Sequence, residues 1–576
     1  MEMIKIDFKY LLLIPLVFIG GISFAGVYLE PEDTATWVNI SEAERRISPS
    51  YRIAEKPLII DTIIPIPNIS YPLLSRNMRT EISIDQIDPA KIKIVEKLEK
   101  LYPGYVRIGL GNYISPLGEV YYNSLRNRRM SYGVHLNHNS SFGNIKGYAP
   151  STFDNTTGRV FGEFFTKQFR IESELDYLNN GYHFYGIQDT TENQDLISKD
   201  SLRNRVQGIG ANVRFSNVTR KDSATLLYAV KTDFNYFHEF DPNDRIQNAR
   251  NSNFGIGTEM SYKLRNHIYS ADLDVRYNNY KFAGEGSTVP VPDWHDDNNT
   301  IIHLKPSIAS YGKKWKVLVG VDLNFDIVSD PIFVAVPQLE GKYSLFNDMF
   351  IPYAGIGGGL TQNTFQSLNR TNEFIVPELE LKNTKELKFY GGIKGTLSKQ
   401  LSFDLQIHST AYTNMALFVN DTVWSDMYKF DVVYDKVTAL GVNASISYQA
   451  AEKLKVDAIV AYNNYTTQVE THAWNLPEID IKLRGSYNLY DKLYIKSDLT
   501  LMGGRKSPEG LFSTDAGDDK YNLGFVADAN LSAEYRYNKR VSIFVQFNNL
   551  AAQKYFRWNR YRTQGFQILG GATFAF

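Results

Sequence analysis

The sequence predicts an all-β fold, a closed transmembrane antiparallel β-barrel of about 22 strands. Three observations support this prediction. The C-terminal strand is apolar on one face, segments of period two follow one another from about Tyr105 onward, and short and long connections alternate between those segments. A barrel that closes on itself leaves no strand edge exposed to lipid, which is why strands cross membranes only in closed barrels.

The C-terminal strand is the first of these observations. Residues 567–576 alternate back from Phe576, so that Phe574, Ile568 and Phe566 share its face. In a closed barrel the last strand pairs with the first, and we therefore assign Phe566, Phe574 and Phe576 to a barrel-closing strand. Taken alone, the segment is also compatible with a buried strand of a soluble sandwich.

Period-two segments are the second observation. Residues 315–327 place seven apolar side chains on one face, and 169–177, 269–278 and 401–408 alternate in the same way. In a membrane barrel the apolar face meets lipid and the polar face lines the lumen. The predicted lumen-lining residues are Asp272, Asp274, Arg276, Asp322, Asn324, Asp326, Asp404, Gln406 and His408.

The connections supply the strand count. Ten short turns alternate with eleven further connections, which range from a tight one at 114–118 to long polar loops such as 283–299, 363–385 and 553–563. This alternation gives 22 strands over residues 105–576 when both ends of the barrel lie on the short-turn side. Each strand needs about 9 to 11 tilted residues to cross the hydrocarbon core.

Composition narrows the class of protein. The 576 residues include 62 basic and 63 acidic side chains, for a net charge of −1, so no strong field favours nucleic acid as a partner. Aromatic residues make up 14% of the chain although its mean hydropathy is only −0.31. Aromatic girdles around a polar lumen would produce both values. There is no cysteine, which excludes disulfides and thiolate metal sites.

The N-terminal region predicts export. Lys5 and Lys9 precede the apolar run 11–22, and Ser23-Phe24-Ala25 follows it, as in a secretory signal peptide of residues 1–25. Residues 26–104 are then expected to form a short N-terminal periplasmic or lumenal arm, including a helix near 88–102.

No pattern of catalytic residues is present. The nine histidines occur in neither a zinc-type helix motif nor a nucleophile elbow, so neither an enzyme nor a cofactor is expected. Asp293, His295, Asp296 and Asp297 are weak candidates for a divalent cation, and a solvated acidic loop is the favoured interpretation.

The last long loop combines basic and aromatic residues. Arginine and aromatic side chains suit lipid phosphates and protein partners alike, and a charge-stabilised aromatic girdle is an equal alternative. The candidate contact residues of this loop are Lys554, Arg557, Trp558, Arg560 and Arg562.

Several motifs near the C-terminus are similar to those of a known family. Phe547-Asn548-Asn549-Leu550, Lys554-Tyr555, Gln564-Gly565-Phe566 and 569–574 resemble the end of a TonB-dependent receptor barrel, and Tyr102-Pro103-Gly104-Tyr105 resembles barrels of the Bacteroidota type. The resemblance covers roughly residues 100–576 and implies 22 strands. The sequence departs from the family pattern at its N-terminal side, because the segment before the barrel is too short for the usual plug domain.

Three functions remain open at this point. The resemblance implies a transporter in the outer membrane of a Gram-negative, Bacteroidota-like bacterium, helped by an energy-transducing partner. The missing plug would also suit a passive porin, or a structural or assembly subunit whose lumen is filled by partner proteins. Outer-membrane lipid and lipopolysaccharide are expected partners of all three, and no substrate is indicated.

Overall fold

The structure of the chain is a computed structural model. It describes residues 101–187, 202–218, 226–240, 247–283, 294–327, 332–422, 428–450, 453–508 and 522–576. The predicted signal peptide, helix and nearly all of the predicted arm lie outside these residues.

The described residues form a closed antiparallel barrel of 22 strands, which confirms the predicted fold class and strand number. The barrel strands are β1 (Gly104–Gly111), β2 (Ser115–Asn123), β3 (Met130–Ser141), β4 (Phe153–Phe165), β5 (Phe169–His183), β6 (Arg203–Asn217), β7 (Leu226–Phe240), β8 (Gln247–Leu264), β9 (His267–Ala283), β10 (Trp294–Tyr311), β11 (Trp315–Ile327), β12 (Ile332–Tyr343), β13 (Ile351–Thr361), β14 (Thr384–Ser398), β15 (Leu401–Asn420), β16 (Phe430–Ala450), β17 (Leu454–Thr467), β18 (Ile479–Leu489), β19 (Leu493–Gly503), β20 (Val526–Arg536), β21 (Val541–Asn548) and β24 (Gln567–Ala575).

Among the described residues, three short elements lie outside the wall. They are the helix α1 (Phe365–Thr371) and the hairpin of β22 (Phe556–Trp558) and β23 (Tyr561–Arg562). No helix among the described residues is long and apolar enough to span a membrane.

The first and last strands close the barrel as expected. β1 pairs with β24 from Tyr105↔Ala575 to Gly111↔Leu569. The backbone N–H of Gly104 donates to the carbonyl of Phe576 at 3.0 Å, and that of Phe576 donates back at 2.9 Å. Both ends of the barrel chain therefore lie at the end of the wall where the short turns are, here called the short-turn end. The opposite end is called the long-loop end.

Side chains alternate between the two faces of the wall as the period-two pattern predicted. On β11, Trp315, Val319 and Phe325 are exposed on the outer face, whereas Asp322 and Asn324 are buried on the inner face. An apolar outer face and a polar inner face are what a barrel in lipid requires.

The strands differ widely in length. β1 has 8 residues and β16 has 21, although about 9 to 11 tilted residues suffice to cross the hydrocarbon core. Because the strands share their short-turn end, the excess lies at the long-loop end. The predicted loops 283–299 and 363–385 were consequently too long, because Ala283 belongs to β9, Trp294 to Asn299 belong to β10, and Thr384 and Lys385 belong to β14.

β12 and β13 pair over an unusually short length. Their register partners run only from Lys342↔Tyr353 to Leu339↔Ile356. β13, in contrast, pairs with β14 along its whole length, from Ile351 to Thr361. The half of β13 nearer the long-loop end therefore follows β14 and leaves β12.

A proline and a glycine explain this separation. In the continued register Pro337 would lie opposite Gly358, and proline has no N–H to donate to a ladder. The side-chain amide of Gln338 donates to the Gly358 carbonyl instead, at 2.7 Å. Gly358 has a φ of +136°, and a Cβ on it would lie 2.1 Å from the Glu386 carbonyl oxygen, so the position requires glycine.

The separated half of β13 bends toward the lumen. A Cβ on Gly359 would lie 2.9 Å from a carboxylate oxygen of Asp322, which points inward from β11, two strands away. β13 thereby leads the chain into the barrel, where residues 362–383 continue.

The main hydrophobic core of the described residues lies inside the barrel, at the long-loop end. Inward-facing side chains of the wall, including Val206, Phe237 and Tyr280, pack there with residues from the connections. The wall itself has its apolar side chains outside, so this core serves the loops and not the closure of the sheet.

Candidate functional site

Residues 362–383, which connect β13 to β14 and are here called the inner loop, begin with α1. Thr364 and Ser367 form a capping box: the Ser367 N–H donates to Thr364 Oγ1 at 3.1 Å, and the Thr364 N–H donates to Ser367 Oγ at 2.9 Å. The cap starts the helix where Phe365 can enter the core. Its ring stacks on Tyr280 of β9 at 5.2 Å and lies 5.9 Å from that of Phe237 on β7.

The segment after α1 is extended and adds backbone pairing inside the barrel. The Val376 N–H donates to the Phe430 carbonyl at 2.8 Å, and the Phe430 N–H donates to the Phe374 carbonyl at 2.9 Å. Ile375 and Phe430 thus form a parallel bridge that joins the inner loop to the first residue of β16. Both are completely buried.

A second connection meets the inner loop. Residues 549–566, here called the closing loop, run from β21 to β24 and contain the β22–β23 hairpin. The ring of Tyr561 is completely buried and stacks on Phe374, with centroids 3.7 Å apart and an interplanar angle of 16°. Trp558 packs against Phe418 and Phe430 at 5.2 and 5.6 Å. The inner and closing loops together form what we call the inner layer.

An ion pair joins the two loops. The Arg557 guanidinium donates to both carboxylate oxygens of Glu373, at 2.7 and 3.1 Å. This two-point geometry is the strong form of the interaction, and the Glu373 charge raises the pKa of Arg557. Since the side chains are only partly buried, the pair directs the docking of the loops more than it stabilises them.

A buried arginine donates hydrogen bonds to the backbone of the hairpin. The Arg505 guanidinium donates to the carbonyls of Phe556 and Arg557 at 2.6 and 3.0 Å, and burial lowers its pKa. The hydroxyl of Tyr185 donates to the Arg562 carbonyl at 3.0 Å. Backbone carbonyls of the hairpin are therefore satisfied by side chains from two other connections.

Amide side chains fasten the far end of the inner loop to the wall. Asn299 on β10 donates to Asn383 Oδ1 at 2.8 Å, and Asn383 in turn donates to Asp326 on β11 at 2.9 Å. The Tyr280 hydroxyl donates to the Pro377 carbonyl. The inner loop is thus held at both ends and in the middle.

The predicted closing-loop residues lie in or beside the β22–β23 hairpin. Arg557 and Trp558 make the contacts just described, and the Arg562 guanidinium lies over the Phe556 ring at 4.7 Å. Lys554 is exposed, and Arg560 is in the left-handed turn between β22 and β23, with a φ of +69°. The first three contact the protein's own inner layer. Sequence reasoning missed their partners, since nothing in the order of residues links Glu373 to position 557.

The predicted lumen-lining residues all project from the inner face of the wall. Asp274 pairs with Arg276 at 2.7 Å, Asp404 accepts from the Tyr353 hydroxyl at 2.5 Å, and His408 is 3.1 Å from Asn463 Oδ1. Asp272 and Gln406 are half-buried, Asn324 is fully buried, and Asp322 and Asp326 are nearly so.

A chain of ion pairs on β5 to β8 was not predicted. Arg170 and Arg214 each approach Glu172, at 2.5 and 3.6 Å, and Arg214 also reaches Glu259 at 2.8 Å, where Lys231 joins it. These side chains lie on the inner face near the short-turn end. The lumen wall there is charged but locally neutralised.

The acidic loop does not assemble a cation site in the part of the chain that the structure describes. Asp296 and Asp297 are consecutive in β10 and point to opposite faces, and Asp296 pairs with Lys281 at 2.7 Å. Asp293 and the His295 side chain lie outside the description. No group of three or more metal-binding side chains occurs among the described residues.

The barrel-closing residues are on the outer face. Phe566, Ile568, Phe574 and Phe576 are all exposed there, and the Phe574 and Phe576 rings stack at 6.1 Å. Exposed phenylalanines at this position suit contact with lipid.

The chain is similar to known proteins in structure but not in sequence. No family model matches it, and no curated protein matches its sequence. Solved structures do match. The ferripyoverdine receptor of the outer membrane of Pseudomonas aeruginosa matches with a TM-score of 0.60 and 13% identity, over 84% of this chain and 72% of the receptor. The fold is that of outer-membrane receptors.

Two further structures have the same fold. The copper transporter OprC matches with a TM-score of 0.60 and 13% identity, over 82% of this chain and 80% of that one. The ferric enterobactin receptor PfeA of Pseudomonas aeruginosa matches with a TM-score of 0.60 and 14% identity, over 82% and 81%. These neighbours are receptors and transporters, not enzymes.

Proposed function

We propose that this chain is an outer-membrane transport barrel of the TonB-dependent receptor type, with the long-loop end facing outward. The C-terminal motifs, the 22-stranded fold and the fold of the receptors it matches support this proposal. Transport would require an energy-transducing partner to open the lumen, and outer-membrane lipid and lipopolysaccharide would surround the wall.

The inner layer is the observation on which the proposal depends. A barrel of 22 strands is wide enough for an aqueous channel unless something fills it. Here two connections enter the long-loop end, pair with each other through Phe374 and Tyr561, and are fastened to the wall by Asn383. A layer with a hydrophobic core and hydrogen-bonded ends is compatible with a closed lumen that opens for cargo. It argues against a passive porin.

A structural or assembly subunit is the second candidate function. The short pairing of β12 with β13 favours it, because an incomplete ladder in the wall offers a place for another protein. The two functions differ in whether partner proteins should be purified together with the barrel.

The remaining proposals concern the ends of the chain and its origin. We propose that residues 1–25 are a signal peptide and that 26–104 form the N-terminal arm, followed by the barrel at 105–576. The Tyr102-Pro103-Gly104-Tyr105 motif supports a Bacteroidota-like source.

Conductance in planar bilayers tests the transport proposal. The mature protein should show small or no steady currents, and a variant with residues 365–382 replaced by a short Gly-Ser linker should conduct steadily. Phe346→Ala, at an exposed short turn, serves as the control and should remain closed. Large steady currents from the unaltered protein would instead identify a passive porin.

Purification from native membranes tests the assembly candidate. A structural subunit should be recovered with stoichiometric partners, and removal of residues 26–104 shows whether the arm recruits them. Recovery of the barrel alone in both cases would eliminate this candidate and leave the transporter.

A further inference from the structure

Three lysines lie close together on the inner face of the wall, near the short-turn end. Lys316 on β11 and Lys342 on β12 are register partners, and Lys394 is on β14. The Lys394 Nζ lies over the ring of Tyr353, 4.9 Å from its centroid, and Tyr353 is the register partner of Lys342 on the other side. The three side chains therefore share one region of the lumen, here called the lysine patch.

The described residues around the lysine patch do not neutralise it. Its three members are half-buried, and none of them forms an ion pair with a described residue. Like charges directly opposite each other destabilise a sheet. The charges of Lys316 and Lys394 both repel that of Lys342, and Glu340 on the same strand offsets only part of this repulsion.

Other basic side chains on the inner face are paired with acids. Lys455 lies 3.0 Å from Asp457, and Lys482 lies 3.1 Å from Asp480. An inward lysine of this wall can thus be neutralised by a neighbour on its own strand, and the lysine patch lacks such a partner. A local arrangement that costs stability without a compensating contact is typical of a functional site.

An open cavity of about 300 Å³ lies beside Lys394. Its lining includes Ser402, Asp404 and Ser445. One carboxylate oxygen of Asp404 accepts the hydrogen bond from the Tyr353 hydroxyl, which leaves the second oxygen to accept from a ligand hydroxyl. Because Asp404 repels anions, a neutral part of a ligand suits the cavity, and an anionic part suits the lysine patch.

We infer that the lysine patch and the cavity together bind a small solute with a phosphate group on a hydroxyl-bearing body, such as a sugar phosphate. A phosphate monoester carries a charge of about −1.5 to −2 at neutral pH, and lysine ammonium groups bind phosphate as point charges. The patch faces the lumen, so the phosphate belongs to a solute and not to a lipid headgroup. The inference concerns binding, goes beyond the transport proposal and does not depend on it.

Isothermal titration calorimetry of the purified protein in detergent, at low ionic strength, tests this inference. Glucose 6-phosphate should bind, inorganic phosphate should bind more weakly because it leaves the cavity empty, and glucose should not bind measurably. Binding of both phosphates should weaken as salt rises, because added ions screen the lysine charges.

A substitution in the lysine patch should weaken the binding of both phosphates. Lys342→Gln should lower both affinities by about tenfold or more, the effect of losing a hydrogen bond between charged groups. Lys313→Gln is the matched control, since it removes the same charge from an exposed turn at the same end of the barrel. It should leave both affinities unchanged.

Asp404→Asn tests the cavity separately from the lysine patch. It weakens the acceptor for ligand hydroxyls and removes a repulsive charge, so it should reduce the preference for glucose 6-phosphate over inorganic phosphate. Heat-modifiable migration on gels verifies that each variant is folded.

Four results would overturn the inference. They are no binding of glucose 6-phosphate at low salt, equal binding of glucose, an unchanged affinity in Lys342→Gln, and an equal loss of affinity in Lys313→Gln. An unchanged preference in Asp404→Asn would overturn the assignment of the cavity.

Discussion

The two ends of the barrel are built on different principles. At the short-turn end the strands are joined by local turns, such as that in which the Leu345 and Phe350 backbones bond to each other. Several aromatic side chains there are strongly exposed; Tyr490, for example, is 80% exposed. At the long-loop end, residues from distant connections build a hydrophobic core inside the lumen.

This difference separates the stability of the wall from the closure of the lumen. Backbone ladders between neighbouring strands hold the wall, and the shortest of those described is that between β12 and β13. Residues 362–383 and 549–566 supply none of the register pairs between β1 and β24. The inner layer can therefore loosen while the barrel remains folded. Substitutions at the wall, the layer and the turns should have effects of different kinds and sizes.

The largest effect is expected in the wall. A Cβ on Gly571 of β24 would lie 2.0 Å from the Ile108 carbonyl oxygen and 2.7 Å from Cα of Gly109, both backbone atoms of β1. Gly571→Leu should prevent closure and abolish the folded, heat-modifiable band on gels. Gly570→Ala is the control, because its nearest neighbour would be 3.9 Å away. Normal folding of Gly571→Leu would contradict the proposed closure.

The next effect should be confined to the inner layer. Tyr561→Ala removes a fully buried ring from the stack on Phe374 and should destabilise the layer by about 3 to 5 kcal/mol. Hydrogen exchange should accelerate in residues 372–383, and steady conductance should appear, while heat modifiability is unchanged.

Tyr561→Phe provides the matched control. It keeps the ring and loses only the hydroxyl bond to the Tyr428 carbonyl, at 2.5 Å, for about 1 kcal/mol. If Tyr561→Ala unfolds the whole barrel, the stability of the wall depends on the inner layer, which contradicts the comparison.

A smaller effect is expected at the ion pair. Glu373→Gln should weaken the docking of the closing loop by about 0.2 to 1 kcal/mol, as is usual for partly exposed pairs. Exchange in residues 373–376 should be modestly faster at low salt. The difference from the unaltered protein should shrink as salt rises, because added ions screen exposed charges. A difference that is independent of salt would mean that Glu373 acts by packing and not by charge.

The smallest effect is expected at the short-turn end. Tyr490→Ala changes an exposed side chain in a local turn and should alter the free energy of unfolding by no more than about 0.5 kcal/mol. Urea unfolding in detergent, followed by tryptophan fluorescence, is the measurement. A larger loss would show that the aromatic side chains of the turns stabilise the wall.

The sequence was sufficient to predict the wall because the wall obeys a local rule. The alternation along β11 predicted which side chains face outward, and the positions of the turns predicted the number of strands. The outward position of Trp315 and the inward position of Asp322 follow from counting residues by twos.

The inner layer could not be predicted in this way. Phe374 and Tyr561 lie far apart in the sequence, and their stacking depends on how two connections enter the lumen. The run 355–359 showed no periodicity because its glycines permit a bend, and the reason for the bend, Pro337 on another strand, is not local. Trp294 to Asn299 were predicted as loop because polar residues in a strand beyond the membrane are no longer required to alternate.

The joining of β1 to β24 has a kinetic consequence. These strands come from opposite ends of the barrel sequence, so closure has the largest loop entropy to overcome and should be the slowest step of folding. Until it occurs, both strands expose edges that can pair with the wrong neighbour. Assembly factors that shield nascent edges would therefore act most usefully on this seam, and truncation within β24 should trap the chain as an open, aggregation-prone sheet.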